Sequence, residues 1–213
     1  MIKDNENAAK IADYLLQIKA VKLQPNKPFT WSSGWKSPIY CDNRKTLSYP
    51  QVRTFIRQSF CKLILDEYGK PDMIAGVATG GIAIGALVAE ELGLPFIYVR
   101  SSSKGHGLEN QVEGDASAGS SVVVIEDLIS TGGSSLKAVH ALKAAGLSVK
   151  GVSAIFTYDF QQSIDAFKEA DCSLTTLTNY SVLLGKALQQ DDVQQDDMNS
   201  LHEWRNSPET WNK

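Results

Sequence analysis

Cysteine is scarce in this chain: its three residues, Cys41, Cys61 and Cys172, are odd in number, far apart and outside any CxxC spacing. That argues against a cysteine-built zinc site or a disulfide framework and points to a reducing compartment. No apolar run approaches the roughly 18 residues of a membrane span. The N-terminus carries Asp4 and Glu6 where a signal peptide would have its apolar core. Charge of one sign is lacking too. Lys and Arg total 21 against 24 Asp and Glu, a formal net charge of −3, so nucleic acid is not an expected partner and any basic site must be local. Neither GxxxxGKS/T nor a strand followed by GxGxxG occurs, which removes the two common nucleotide-binding loops. No internal repeat or low-complexity tract is present, and the sequon Asn179-Tyr180-Ser181 has no secretion signal to give it use. The expectation is a soluble cytoplasmic protein with no membrane contact. At 213 residues, 43% hydrophobic and 21% charged, it suits a single domain spanning 1–213 with a sizeable core.

Apolar periodicity predicts an amphipathic helix over 5–21 through Ile11, Tyr14, Leu15, Ile18 and Val21. A Gly-, Pro- and aromatic-rich stretch from Phe29 to Arg44 then reads as short strands and turns of a small cap. Its Trp31, Trp35, Tyr40 and Lys36 could line a pocket for a flat anionic ring, although aromatics alone favour a packed hairpin. Pro50 opens a second helix that ends at Gly69-Lys70-Pro71. Met73 to Ala78 reads as a buried strand, Thr79-Gly80-Gly81 as a tight turn, and Ile82 to Leu92 as a small-residue helix. Further strands are predicted at 95–100, 151–158 and 174–178, with helical segments around 164–170 and over 181–203, and a tail docked by Trp204 and Trp211. Strand–helix alternation of this kind gives an α/β fold, a mainly parallel sheet flanked by helices, with its ligand at the carboxyl ends of the strands.

Between two of those strands lies a polar, Gly-rich excursion of about 100–120 carrying Arg100, Lys104 and His106. Its length is uncommon unless it functions, and its cations suit a mobile lid closing over a polyanion better than a solvated linker. The most informative stretch follows. Val122-Val123-Val124-Ile125 is a strand buried on both faces, where the strand should end come Glu126 and Asp127, and then Leu128, Ile129, Ser130, Thr131, Gly132, Gly133 and Ser134 lead into a helix. Backbone N–H groups at such a junction hold phosphate. Carboxylates repel phosphate, so the acids must face sugar hydroxyls or a metal ion, unless they merely begin the helix. A ligand with a 5-phosphate beside free ribose hydroxyls meets both demands.

That stretch resembles the phosphoribosyl pyrophosphate (PRPP) signature of the type I phosphoribosyltransferases. Phe29 to Arg44, Ala78-Thr79-Gly80-Gly81-Ile82-Ala83 and Arg100 to Gly114 resemble further segments of the family's orotate branch, as does the C-terminal Leu201 to Pro208. The resemblance implies the type I phosphoribosyltransferase fold, with a hood formed by about 22–46 and the C-terminal part. It implies transfer of phosphoribose from PRPP to orotate in pyrimidine synthesis, with Mg²⁺ bound mainly through PRPP and no protein ligand assigned. It also implies a homodimer sharing its active sites. Thr79, Gly80 and the stretch from Glu126 to Ser134 would bind PRPP, Glu126 and Asp127 at the ribose hydroxyls. Arg100, Lys104 and His106 would reach the pyrophosphate of the neighbouring subunit. Ser130, Lys36 and Tyr40 would contact orotate, and Lys104, His106 and Asp127 would carry catalysis. Ser32, Ser101 and Ser102 stand where some members have lysines, and Phe160 lies near the place of a base-recognising arginine. A phosphoribosyltransferase for another base, such as a purine, and a regulator on the same fold that binds PRPP or nucleobases as a signal are the competing readings.

Overall fold

The computed structural model describes residues 2–31, 33–101 and 111–211. Helix α1 (Asn5–Gln17) begins at Asp4, whose carboxylate accepts from the Asn7 N–H. It is shorter than its apolar spacing predicts: Lys19 turns the chain at φ 53°, and Val21 joins strand β1 (Val21–Leu23) instead. Strands β2 (Phe29–Thr30), β3 (Lys36–Ser37) and β4 (Ile39–Cys41) follow. Antiparallel pairs β1–β4 and β2–β3 make two small ribbons. A 3₁₀ turn at Asn43–Ser48 leads into α2 (Pro50–Tyr68), with proline in its first turn and Gly69 at its end.

The remaining elements alternate: β5 (Met73–Val77), α3 (Gly80–Leu92), β6 (Phe96–Val99), β7 (Val112–Glu113), β8 (Ser121–Ile129), α4 (Gly133–Ala144), β9 (Ser148–Thr157), α5 (Gln161–Glu169), β10 (Leu174–Asn179), α6 (Tyr180–Gln189) and α7 (Met198–Asn206). The sheet runs β10-β9-β8-β5-β6-β7, parallel except for the antiparallel edge strand β7. Its α/β architecture is the one the strand–helix alternation implies. Strand β8 shows why its β-branched run is unbroken. Val123 and Ile125 pack with α1, α2, α3 and α6, whereas Val122 and Val124 pack with α4 and α5 on the opposite face.

Two stretches depart from expectation. Residues 181–203 are not one helix, because Asp191 adopts φ 60° and a capping box between Gln194 and Asp197 restarts the chain. Of the stretch read as a lid, Val112 and Glu113 pair with β6, and Gly119 donates to the Gly146 carbonyl at 2.8 Å. Val112, Glu113 and Gly119 are thus bonded to neighbouring elements, and residues 102–110 of the same stretch lie outside the described residues. Helix α7 carries Trp204 to full burial, where its ring meets Trp31, Tyr158, Phe160 and Tyr180 at 5.3–5.7 Å between centroids. Trp31 in turn donates to the Ile39 carbonyl at 3.1 Å, so the N-terminal ribbons and the C-terminal helix are joined over the carboxyl edge of the sheet. Among the described residues no helix is long and apolar enough to cross a membrane.

Candidate active site

The site is built where neighbouring strands stop at different lengths. Strand β5 pairs with β8 only as far as Gly76–Ile125, while β9 continues beside β8 to Ile129–Thr157. The acidic pair therefore lies inside the last part of a strand rather than beyond its end, on a segment with an open side. Asp127 has its main-chain N–H bonded to a Glu126 carboxylate oxygen at 3.0 Å and its carbonyl to the Asn43 side-chain amide at 2.6 Å. Side chains thus supply the main-chain bonds of this residue that a longer neighbouring strand would have made.

The two acids have different surroundings. Glu126 is buried and turned inward, its second oxygen accepting from the Ser135 hydroxyl at 3.0 Å. Burial first, and the Asp127 charge second, push its carboxyl up to about 9. Burial thus favours a proton on the pair. Burial also raises the Asp127 carboxyl, opposed by its hydrogen bond with Glu126 and by the Arg44 charge. Asp127 stands over the start of α3. A Cβ at Gly80 would overlap its carboxylate, and one at Gly81 would overlap the Ile125 carbonyl oxygen. Those two glycines are there because α3 begins against the backbone of β8. The Ala78–Thr79 peptide before them is cis.

Helix α4 starts beyond Ile129, at Gly132 with φ 84°, and neither α3 nor α4 has a side-chain cap at its N-terminus. Their first-turn N–H groups remain for an anion between them. Gly133 and Ser134 are exposed, while Ser130 and Thr131 are half-buried. Beside them opens a cleft of about 580 Å³ lined by Thr30, Trp31, Ser33, Trp35, Tyr40, Cys41, Leu128, Ser130, Thr131 and Tyr158. Trp31 and Trp35 stack with ring centroids 6.4 Å apart and planes 18° from parallel, giving one flat wall. Lys36 does not line the cleft but donates to the Thr30 hydroxyl at 2.9 Å. Phe160 is buried against Tyr158 and Trp204, behind the Tyr158 side of the cleft.

The structure thus gathers Thr79, Gly80, Asp127 and residues 128–134 at one edge of the sheet, with Tyr40 and Ser130 lining the cleft and Lys36 one bond behind it. Arg100 is placed differently. It lies at the base of the β6–β7 hairpin, its N–H donating to the Gln111 carbonyl at 2.9 Å and its guanidinium 3.4 Å from Glu113, and it does not line the cleft. Lys104, His106, Ser32 and Ser102 lie outside the described residues. Tyr158, Cys41 and Asn43 were not singled out as site residues from the sequence. Burial, then the Asp127 charge, raises the Cys41 thiol well above its ordinary range and keeps it neutral. Among the described residues no group of three or more His, Cys, Asp and Glu could hold a metal ion.

A family model described as "Phosphoribosyl transferase domain" matches residues 49–172. The chain is 58% identical over 200 residues to a protein of Phocaeicola vulgatus named orotate phosphoribosyltransferase, covering 94% of each. It is 53% identical over 204 residues to one of the same name from Listeria monocytogenes, covering 96% of this chain and 98% of that one. Among solved structures, the orotate phosphoribosyltransferase of Aeropyrum pernix superposes with a TM-score of 0.74 at 28% identity, over 83% of this chain and 97% of that chain.

Proposed function

The chain belongs to the phosphoribosyltransferase family, and from that premise we propose how its own residues divide the reaction. It transfers the 5-phosphoribosyl group from PRPP to orotate, giving orotidine 5′-monophosphate and pyrophosphate in pyrimidine biosynthesis. The observation that carries the site assignment is the Asp127 carboxylate standing over Gly80, between two uncapped helix starts and an aromatic cleft.

The 5-phosphate sits on the N–H groups from Ser130 to Ser134 and the start of α4. Asp127 accepts from a ribose hydroxyl and favours the positive charge that develops on the sugar as the C1–oxygen bond breaks. Glu126 acts from behind, holding the Asp127 main chain and, through Ser135, the first turn of α4. The pyrophosphate leaves along Thr79 and Gly80 at the start of α3. Orotate lies against Trp31 and Trp35 with Ser130 and Tyr40 at its edge, and its ring nitrogen forms the new bond to C1. Its carboxylate faces Lys36, which reaches the cleft by releasing Thr30. Lys36, bonded to the cleft-lining Thr30, is the cation of the Phe29–Arg44 segment that this reading assigns to the orotate carboxylate. A cation arriving on the polyphosphate suits this site, because Asp127 offers one carboxylate at its margin and no cluster of ligands. Mg²⁺, when bound, offsets charge on the leaving pyrophosphate.

Arg100, Lys104 and His106 serve the pyrophosphate of a neighbouring subunit in a cytoplasmic homodimer. The placement of Arg100 on the sheet's edge hairpin, outside its own cleft, supports this reading. Lys104 neutralises the leaving charge, and His106 donates a hydrogen bond or proton to it. The test mixes Lys104→Ala and Asp127→Asn subunits. Each homodimer should lose at least about tenfold in turnover, and reassortment should restore up to about a quarter of wild-type activity, since half the dimers would carry one intact site. No restoration with subunit exchange demonstrated would contradict shared sites.

A further inference from the structure

The segment Asp42-Asn43-Arg44 lies between the aromatic cleft and the acidic pair, and the reaction described so far uses none of it. Asn43 is 1% exposed, although asparagine is seldom buried unless its amide is fully engaged. Its Nδ2 donates to the Asp127 carbonyl at 2.6 Å, across 84 residues of sequence. Its Oδ1 accepts from Cys41 Sγ at 3.3 Å, and Cys41 lines the cleft. Its own carbonyl accepts from the Thr46 hydroxyl at 2.6 Å, which fixes the turn that carries it.

At the other end of the bridge, Asp127 is unusual for a strand residue. Strand β5 has stopped two residues earlier in register, and the Asp127 N–H is bonded to the Glu126 carboxylate. The direction of the Asp127 side chain is thus set by Glu126 on one side and Asn43 on the other. Arg44 belongs to the same turn: its Nε lies 2.7 Å from Asp42, and its charge favours the ionised form of Asp127, which Asp42 opposes.

We propose that Asn43 is a positioning residue for the phosphoribosyl-transfer reaction, holding the Asp127 main chain so that its carboxylate meets the ribose, and linking that carboxylate to occupancy of the aromatic cleft through Cys41. The proposal rests on the reading of Asp127 as a ribose contact. Orotate pressing on the Tyr40–Cys41 wall is transmitted through one side-chain amide to the residue that holds the sugar. An alanine or aspartate at 43 removes the donor, since a carboxylate cannot donate to the Asp127 carbonyl when ionised.

The experiment is a double-mutant cycle on the whole enzyme, measuring PRPP binding with Mg²⁺ by calorimetry, with and without saturating 2,6-dihydroxypyridine-4-carboxylate, an orotate analogue with carbon in place of the reacting ring nitrogen, which cannot turn over. Folding is checked by circular dichroism and Tm. Asn43→Ala in an otherwise wild-type chain should weaken PRPP about 10- to 100-fold, but no more than about threefold in an Asp127→Asn background, because residues acting as one unit are not additive. Asn43→Ala should also abolish any strengthening of PRPP binding by the base. Asn43→Ser, which keeps a shorter donor, should fall between the two and carries the cycle if Asn43→Ala does not fold. Equal losses in both backgrounds, or failure of both variants to fold, would make Asn43 a purely structural residue and overturn the proposal. If Asp127→Asn itself left PRPP binding unchanged, the ribose assignment would be at fault instead, and the two failures are thereby distinguished.

Discussion

A methyl group placed at either of two adjacent glycines should separate activity from stability. Gly80 and Gly81 both begin α3 against the end of β8, but an added Cβ meets different neighbours. At Gly81 it would run into the Ile125 carbonyl oxygen and approach the Glu126 Cα at 3.3 Å. Those are main-chain atoms of buried strand β8, Ile125 being paired on both sides, and they yield little. Overpacking of this kind costs about 3 kcal/mol, and at about 2–4 °C per kcal/mol for a chain of this size Gly81→Ala should lower Tm by about 6–12 °C. At Gly80 the obstacle is the end of the Asp127 side chain, which can swing aside. The cost is offset by up to about 1 kcal/mol from exchanging glycine for alanine in a helix, so Tm should stay within about 3 °C of wild type. The displaced carboxylate forfeits a charged hydrogen bond to ribose worth about 1.5–3 kcal/mol, which predicts a loss of about 10- to 150-fold in kcat/KM for PRPP. The assay is orotate absorbance with PRPP and Mg²⁺, alongside thermal unfolding of both variants. Full activity in Gly80→Ala, or a fall in Tm matching that of Gly81→Ala, would refute the placement of Asp127 as the sugar-facing acid.

Three further outcomes follow from the same geometry. Glu126 has its carboxyl raised from 4.5 to about 9, so the folded state holds this proton more tightly than the unfolded chain does. Its contribution to stability is complete below the unfolded value and is lost as pH rises toward 9, by up to about 1.4 kcal/mol per pH unit. Urea unfolding at pH 5, 7 and 9 should show that decline in the ligand-free protein and a flatter profile in Glu126→Gln, and identical profiles would place the shared proton elsewhere. Trp204→Ala removes a fully buried indole from contact with Trp31, Tyr158, Phe160 and Tyr180 and should cost about 3–5 kcal/mol by calorimetry; a cost below about 1 kcal/mol would mean that α7 does not brace the cleft. Lys36→Ala should raise KM for orotate roughly 10- to 100-fold, the worth of one charged hydrogen bond, with KM for PRPP almost unchanged, and an equal effect on both substrates would remove Lys36 from the base site.

What the sequence disclosed was chiefly local. The run from Val122 to Ile125 announces a strand covered on both faces, and Gly80, Gly81, Gly132 and Gly133 mark where the chain passes from strand to helix, because those junctions are governed by nearest neighbours. The end of β8 was not legible. It depends on β9 running on beside it, so Glu126 and Asp127 turned out to belong to the strand. The opposite fates of the two acids were hidden for the same reason: only the fold brings Ser135 to Glu126 and Asn43 to Asp127. The cleft needed Tyr158 to meet Trp31 and Cys41 of the Phe29–Arg44 segment, and aromatic composition alone favours a packed hairpin there. Edge strand β7, only two residues long, carries too little periodicity to be seen within a polar stretch.

The most direct measurement is the loss of orotate absorbance when the purified protein meets Mg²⁺ and PRPP, with adenine, hypoxanthine and uracil as parallel substrates. Consumption of orotate alone, with release of pyrophosphate in equal amount, is the predicted result. Turnover of a purine, or PRPP binding without turnover of any base, would contradict it.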